Sequence, residues 1–180
     1  IDGFSVGVEK IGWIGSPTTF QYLEPLLELL DGVCGDLGLT LFVMGSNKKR
    51  RNFSNVEWLD WSIDAERDFL RAIDVGLSPL FDGPWENGKC GYKIIQYFSA
   101  GVVPIVSPVG ENKIIVDDKV DGFFAGDAEE WATVLRELST MRPAKLKKIQ
   151  RNGYQKFKSN YSLDSQGQEF VSSLISTFAK

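Results

Sequence analysis

Short apolar runs, each bounded by glycine, proline or polar residues, recur along the chain. Runs of this length that are rich in valine, isoleucine, leucine and phenylalanine are typical of strands buried in a parallel sheet. Several end at a turn that contains glycine, which marks the end of a strand. The predicted strands span residues 11–14, 40–44, 56–59, 75–80 and 102–106, and a short extended segment spans 121–124.

Between these strands, apolar residues recur every three or four positions, and this spacing predicts helices. The first helix is predicted to begin at Thr18 or Thr19, to accept Pro25 near its start and to end at the glycines of residues 32–35. Further helices are predicted over residues 64–72 (capped by Ser62 or Asp64), 92–100, 128–138, 143–157 and from Asp164 or Ser165 to 179, with a helical turn over 112–116.

Strands that alternate with helices form βαβ units with right-handed crossovers. We therefore predict an α/β fold, a Rossmann-like doubly wound parallel sheet in a three-layer α/β/α arrangement. Residues 1–180 are interpreted as a single domain, with a linker remnant over 1–9 and C-terminal helices over 143–180. Ligands of such sheets bind beyond the carboxyl ends of the strands, so this edge is where we expect the functional site.

The composition limits the possible functions. The chain is 43% hydrophobic and 24% charged with a net charge of -4, which is typical of a soluble globular protein and gives no reason to expect a nucleic-acid partner. It contains no histidine, which excludes imidazole catalysis and histidine-ligated metals within this chain. Cys34 and Cys90 are interpreted as reduced thiols of a cytoplasmic protein. We expect no metal and no cofactor.

Residues 82–110 carry the most informative pattern. A turn-rich loop over 82–88 is followed by Lys89, Cys90 and Gly91, and the helix predicted from Tyr92 begins there. The N-terminus of a helix presents unpaired N–H groups and positive potential. Together with the charges of Lys89 and Lys93, this pattern predicts a site for a diphosphate. The alternative is that the two lysines are solvated and that Gly88 and Gly91 only form turns.

Two segments resemble a known family. IGWIGSPTT over residues 11–19 and GPWENGKCGYKIIQYFSAGVVPIVSPVG over 83–110 are similar to the C-terminal domain of GT-B glycosyltransferases, and most similar to glycosyltransferase family four, also called group 1. The resemblance covers about residues 10–140. It implies the donor-binding, C-terminal half of a GT-B fold, with the N-terminal acceptor-binding domain absent from this chain.

The family signature departs from its usual form here. The family usually carries two glutamates separated by seven residues, and these positions are Gly88 and Gln96 in this chain. Glu86 lies two residues earlier and is a candidate replacement for the first. Gln96 still has the atoms to hydrogen-bond a ribose hydroxyl. The family also places cations after the first strand; this chain has none there, and we expect Lys89 and Lys93 to supply the charge.

Other candidate ligand contacts have simpler alternatives. Gly15 and Ser16 face either the phosphates or the acceptor, or form a plain turn. Trp61 contacts the base or, as the favoured alternative, packs in the core. Glu86 binds sugar hydroxyls or is solvated, and Cys90 is expected to be a packing residue rather than a nucleophile. The basic residues 48–51 are expected to be a solvated loop, with contact to anionic lipid as the alternative.

These observations favour a domain that binds a nucleotide-diphosphate sugar, UDP- or GDP-linked, for transfer of a hexosyl-type group to an acceptor. The backbone N–H groups of Cys90, Gly91 and Tyr92, with Lys89 and Lys93, are predicted to hold the diphosphate. The resemblance implies retention of configuration and a role in cell-envelope polysaccharide or lipopolysaccharide synthesis in the cytoplasm, with possible contact to the inner membrane face. The domain alone is expected to be inactive. The alternatives are a nucleotide-sugar epimerase of GT-B-like fold and a non-catalytic nucleotide-binding module.

Overall fold

A parallel sheet forms the centre of the computed structural model, which describes residues 7–47 and 52–178. Its strand order is β3-β2-β1-β4-β5-β6, and every pair of neighbours is parallel. The order reverses between β1 and β4, which creates a crevice at the carboxyl edge of the sheet. The strands are β1 (Lys10–Ile14), β2 (Thr40–Met44), β3 (Val56–Leu59), β4 (Val75–Ser78), β5 (Val103–Val106) and β6 (Phe123–Phe124).

Helices cover both faces of this sheet, which confirms the predicted doubly wound, three-layer fold. The helices are α1 (Leu27–Leu37), α2 (Ile63–Ala72), α3 (Pro84–Asn87), α4 (Tyr92–Ala100), α5 (Asn112–Ile115), α6 (Ala128–Ser139), α7 (Pro143–Asn160) and α8 (Leu163–Phe178). On one face of the sheet α1 packs against α6, and on the other face α2 and α7 both pack against α4.

The prediction for the first helix is wrong at both ends. Instead of one helix from Thr18 or Thr19, the chain forms two short 3-10 turns, Thr19–Tyr22 and Glu24–Leu26, before α1 begins at Leu27. Pro25 lacks the N–H that a continuous α-helix would use. The helix also passes through the glycines at 32 and 35, because its buried face continues beyond them, and it ends at Gly38, whose φ is 67°.

The other boundaries differ by small amounts. Ser62, one of the two predicted caps, does cap α2: its hydroxyl accepts a hydrogen bond of 3.1 Å from the Ala65 N–H. Ser162, rather than Asp164 or Ser165, accepts from an N–H in the first turn of α8. The loop predicted over 82–88 contains the short helix α3. Residues 48–51 and most of the linker predicted over 1–9 lie outside the described residues.

A buried ion pair connects α7 to the segment that follows α5. Lys156 donates to the Ile115 carbonyl at 2.9 Å and to the Asp117 carboxylate at 2.8 Å, and it pairs with Asp121, whose side chain is 2% exposed. Burial raises the pKa of Asp121. Burial also acts to lower the pKa of Lys156, but the hydrogen bonds to the two aspartates outweigh it and the pKa is raised. This cluster fixes α5 near the carboxyl edge of the sheet.

We predict that Lys156→Ala lowers the free energy of unfolding by about 3–5 kcal/mol, because it leaves Asp121 buried without its counterion. The measurement is urea denaturation at pH 7. Lys145→Ala is the matched control: its pair with Glu137 is 3.3 Å long but exposed, so its loss is expected to cost less than about 1 kcal/mol. Equal costs for the two variants would contradict the interpretation.

Candidate functional site

The loops that follow β1 and β4 meet at a single tyrosine. The Tyr22 hydroxyl, in the first turn after β1, donates a 2.6 Å hydrogen bond to Glu86 Oε1. Lys89 Nζ donates to the same hydroxyl at 3.1 Å and lies 4.2 Å from the centroid of the ring. The loops after β1 and β4 therefore come together at the carboxyl edge of the sheet, where the functional site is expected. The Tyr22–Glu86 hydrogen bond lowers the pKa of Glu86, and burial raises the pKa of Tyr22 to about 12.

Lys93 lies beside this cluster, in the first turn of α4. Its ammonium group is 4.9 Å from the centroid of the Trp13 ring at the end of β1, and its side chain is half-buried. Among the described residues no carboxylate forms an ion pair with it. Burial, and then the charge of Lys89, lower the pKa of Lys93 to about 7. The free protein therefore holds this proton weakly, and a bound anion would hold it in place.

The N-terminus of α4 has no side-chain cap. Gly91 is the N-cap residue, with φ of 64°, and within the part of the chain that the structure describes no side chain caps the first turn. A β-carbon at this position would collide with Ile115 on α5, so the loop approaches α5 closely here. The first N–H groups of α4 thus point out of the helix beside the two ammonium groups.

Asn87 supports this loop, and the sequence pattern did not single it out. Its amide nitrogen donates to Asp82 at 3.0 Å and to the Gly83 carbonyl at 2.9 Å. Its amide oxygen accepts from the Gly110 N–H at 3.0 Å, in the loop after β5. One side chain therefore connects the loops that follow β4 and β5.

A second hydrogen-bonded group joins two of the predicted ligand contacts. Trp61 Nε1 donates to Glu66 Oε2 at 2.6 Å, and Gln96 Nε2 donates to Glu66 Oε1, also at 2.6 Å. Trp61 is 54% exposed, so the favoured interpretation that it packs in the core is wrong. Glu66 was not predicted. The signal available was an acidic residue in the first turn of the helix after β3, which is also common at ordinary helix starts.

The remaining predicted residues lie at the same edge of the sheet. Ser16 is exposed, and its N–H donates at 2.9 Å to Thr19 Oγ1, which closes a local turn. Gly88 and Cys90 are exposed, so the interpretation of Cys90 as a packing residue is wrong. Tyr92 is 63% exposed. The ligand contacts assigned to Gly15, Ser16, Gly88, Cys90, Gly91 and Tyr92 remain predictions.

Two features that the described residues lack bear on other kinds of site. No group of three or more histidine, cysteine, aspartate or glutamate side chains is close enough to hold a metal ion within residues 7–47 and 52–178. In the same part of the chain no helix has the length and apolar character that crossing a bilayer requires.

Residues 9–141 match the model of the family described as glycosyl transferases group 1. The chain belongs to this family. The expected resemblance is thereby confirmed. A comparison with curated protein sequences gives no match.

Solved structures share the fold. The Anabaena protein Alr3699/HepE, crystallised with UDP-glucose, superposes with a TM-score of 0.75 over 94% of this chain and 49% of its own, at 14% identity. A glycosyltransferase from Rickettsia africae gives a TM-score of 0.76 at 16% identity, covering 94% of this chain and 48% of its own. The C-terminal domain of the group 1 glycosyl transferase LpcC from Francisella tularensis gives 0.64 at 16% identity, covering 87% and 88%. The chain thus spans about half of the first two proteins, and its fold is that of GT-B glycosyltransferases.

We predict that Lys93→Met stabilises the free protein at pH 6, by about 1–2 kcal/mol, because it removes a half-buried charge that no carboxylate of the described residues balances. The gain is expected to shrink as the pH rises from 7 toward 10. In that range the folded wild-type lysine has lost its proton, whereas the unfolded chain keeps it until about pH 10.4, so the wild-type protein gains stability with pH.

Thermal and urea unfolding of both proteins at pH 6 and pH 9 measure this effect. Lys113→Met is the control, because Lys113 is exposed on α5 and the substitution is the same. A Lys93→Met protein that is less stable than the wild type at pH 6 would show that the ammonium group is not a cost to the fold.

Proposed function

We propose that this chain is the donor domain of a glycosyltransferase and that it binds the diphosphate of a UDP- or GDP-linked sugar at the N-terminus of α4. One observation carries the proposal: the half-buried ammonium group of Lys93 lies next to Lys89 at an uncapped helix N-terminus, without a carboxylate partner among the described residues. Each ammonium group is electrostatically unfavourable beside the positive end of the helix when no anion is bound. A bound anion interacts favourably with both ammonium groups and with the helix N-terminus.

The same arrangement suits the transfer step. The acceptor hydroxyl oxygen forms a bond to the anomeric carbon as the bond from that carbon to the diphosphate breaks. Negative charge accumulates on the departing diphosphate, which takes up the proton that the acceptor hydroxyl loses. N–H groups and ammonium groups that are already in place stabilise this charge without reorganisation. In this proposal Lys89 and Lys93 are the catalytic residues, the N–H groups of Cys90, Gly91 and Tyr92 hold the phosphates, and no metal is needed for the transfer. The Gly88 N–H does not take part, because it donates to the Trp85 carbonyl at 3.3 Å.

The relatives support the kind of ligand. The Anabaena protein with this fold was crystallised with UDP-glucose, with UDP and glucose, and with UDP. At 14–15% identity these structures share the fold, so the nucleotide sugar is a proposal for this chain. Because the chain spans about half of those proteins, we propose that a separate N-terminal domain supplies the acceptor site and that the domain alone does not turn over. Envelope polysaccharide synthesis at the cytoplasmic membrane face is the proposed setting.

We expect the wild-type chain to bind UDP or GDP in isothermal titration calorimetry. Lys89→Met and Lys93→Met are each expected to weaken binding roughly 10- to 100-fold, since each removes a charge-assisted contact with the diphosphate. Lys113→Met is expected to bind like the wild type. If no nucleotide or nucleotide sugar binds, or if both site variants bind normally, the proposal fails, and an unidentified module of this fold remains.

Binding is also expected to depend on pH in a way that identifies Lys93. UDP-glucose is the suitable probe because its diphosphate has no ionisation near neutral pH. The pKa of Lys93 in the free protein is about 7 and binding requires its charged form, so affinity should fall as the pH rises above 7, by at most about tenfold per unit. Titrations at pH 6, 7, 8 and 9 measure the slope, which should be absent from Lys93→Met. A slope that persists in the variant would assign the proton to another group.

A further inference from the structure

Glu66 on α2 is held by two hydrogen bonds from uncharged donors. Trp61 Nε1 and Gln96 Nε2 each approach one of its oxygens at 2.6 Å. The side chain is half-buried, and among the described residues no lysine or arginine pairs with it: the neighbouring Arg67 contacts Asp64 and Asp68 instead. The carboxylate is therefore fixed in position while its charge is not balanced by a cation.

This carboxylate retains capacity to bind a ligand. An ionised carboxylate accepts hydrogen bonds at about four lone-pair positions, and the indole and the amide use one on each oxygen of Glu66. Since a carboxylate only accepts, the groups that suit the remaining positions are O–H or N–H donors. Two hydroxyls on neighbouring carbons are a good match for two oxygens with one free position each.

The location of Glu66 relates it to the proposed diphosphate site. Gln96, its partner, lies four residues after Tyr92, which is about 6 Å along α4 from the helix N-terminus. In a nucleoside diphosphate the ribose follows the diphosphate directly, so a nucleotide that lies along α4 brings its two ribose hydroxyls to this level. A cavity of about 440 Å³ between α2 and α4 is bordered by Glu66 and by the exposed ring of Trp61, and its α4 side is formed by Ser99 and Ala100 near the C-terminal end of that helix.

We propose that Glu66, a residue of α2, is the carboxylate that accepts the ribose hydroxyls of the nucleotide, with Gln96 and Trp61 as positioning residues that hold it. The inference rests on the proposed function. Gln96 is complementary to this arrangement because its amide donates to Glu66; a glutamate at position 96 would place two carboxylates within hydrogen-bond distance of each other. The negative charge of this part of the site thus belongs to α2 rather than to α4.

The test compares UDP with 2′,3′-dideoxy-UDP, and GDP with its dideoxy form, by isothermal titration calorimetry at pH 7. The wild type is expected to prefer the hydroxylated nucleotide by roughly 10- to 100-fold, since the dideoxy form lacks two donors to a charged acceptor. Glu66→Gln is expected to weaken binding of the hydroxylated nucleotide about tenfold or more and to leave the dideoxy form within about twofold, so that the preference largely disappears. Glu57→Gln, the same substitution at an exposed position of β3, is expected to keep the preference.

The outcomes separate the two proposals. If the wild type binds neither nucleotide, the proposed function fails and this inference fails with it. If the wild type binds UDP or GDP but does not discriminate against the dideoxy form, or if Glu66→Gln keeps the preference, only the inference about Glu66 is overturned. The comparison of the two ligands on the wild type needs no variant, so the proposal stays testable even if Glu66→Gln folds poorly.

Gln96→Glu tests the same arrangement by adding a second carboxylate beside Glu66. We expect it to weaken UDP binding relative to the wild type at pH 8, because two adjacent carboxylates repel each other, and to lose less of the affinity at pH 5.5, where one proton can be shared. Both ratios are taken against the wild type at the same pH, which removes the contribution of Lys93. Tighter binding by Gln96→Glu at pH 8 would place the ribose acceptor on α4 and overturn the proposal.

Discussion

Lys89 and Lys93 place two ammonium groups at the start of α4, the positive end of the helix, and the charge of Lys89 acts against that of Lys93. This repulsion is the constraint to which the rest of the site responds. Lys89 is partly balanced by Glu86 through the Tyr22 hydroxyl. Among the described residues, the contact that offsets the charge of Lys93 is the face of the Trp13 ring, which attracts a cation weakly. A protein that needed only a stable fold would gain by replacing Lys93 with an uncharged residue. Stability given up at one position is typical of a site whose electrostatic balance is completed by a ligand.

The scaffold holds these charges in place by contacts that lie outside the crevice. Asn87 connects the loop after β4 to Gly110 in the loop after β5. The position of α5 is set by Lys156 on α7, and Ile115 of α5 packs closely against Gly91, whose φ of 64° favours glycine. The N–H groups of the first turn of α4 are thereby fixed before any ligand arrives. Electrostatic stabilisation is most effective under this condition, because the polar groups do not have to reorganise when charge develops.

Most of the fold, but only part of the candidate site, could be predicted from the sequence. The strands were predictable because each is a short apolar run, and the site at their carboxyl edge followed from the parallel sheet and its switch of strand order. Lys89, Gly91 and Lys93 could be proposed as site residues because they adjoin the start of a predicted helix.

Tyr22 and Glu66 were missed because their partners lie 64 and 30 residues away along the chain, and local patterns carry no information on such pairs. The first helix was misjudged because helical spacing does not reveal that Pro25 divides it into 3-10 turns. The two errors differ in their source: the distant hydrogen bonds depend on tertiary contacts, whereas the start of the first helix depends on a proline within the segment.

The departure from the two-glutamate signature acquires a physical meaning in this structure. Position 88 is glycine, and the nearby carboxylate of Glu86 turns toward Tyr22 and Lys89 rather than into open solvent. Position 96 is glutamine, and a carboxylate meets it from the neighbouring helix at Glu66. In both places an acidic group is present within hydrogen-bond distance of the crevice residues, but it comes from another position in the sequence. A sequence signature compares residues at one aligned position, whereas ligand binding depends on which charged groups lie nearby in the folded protein. The loss of two signature glutamates therefore does not by itself imply the loss of the site.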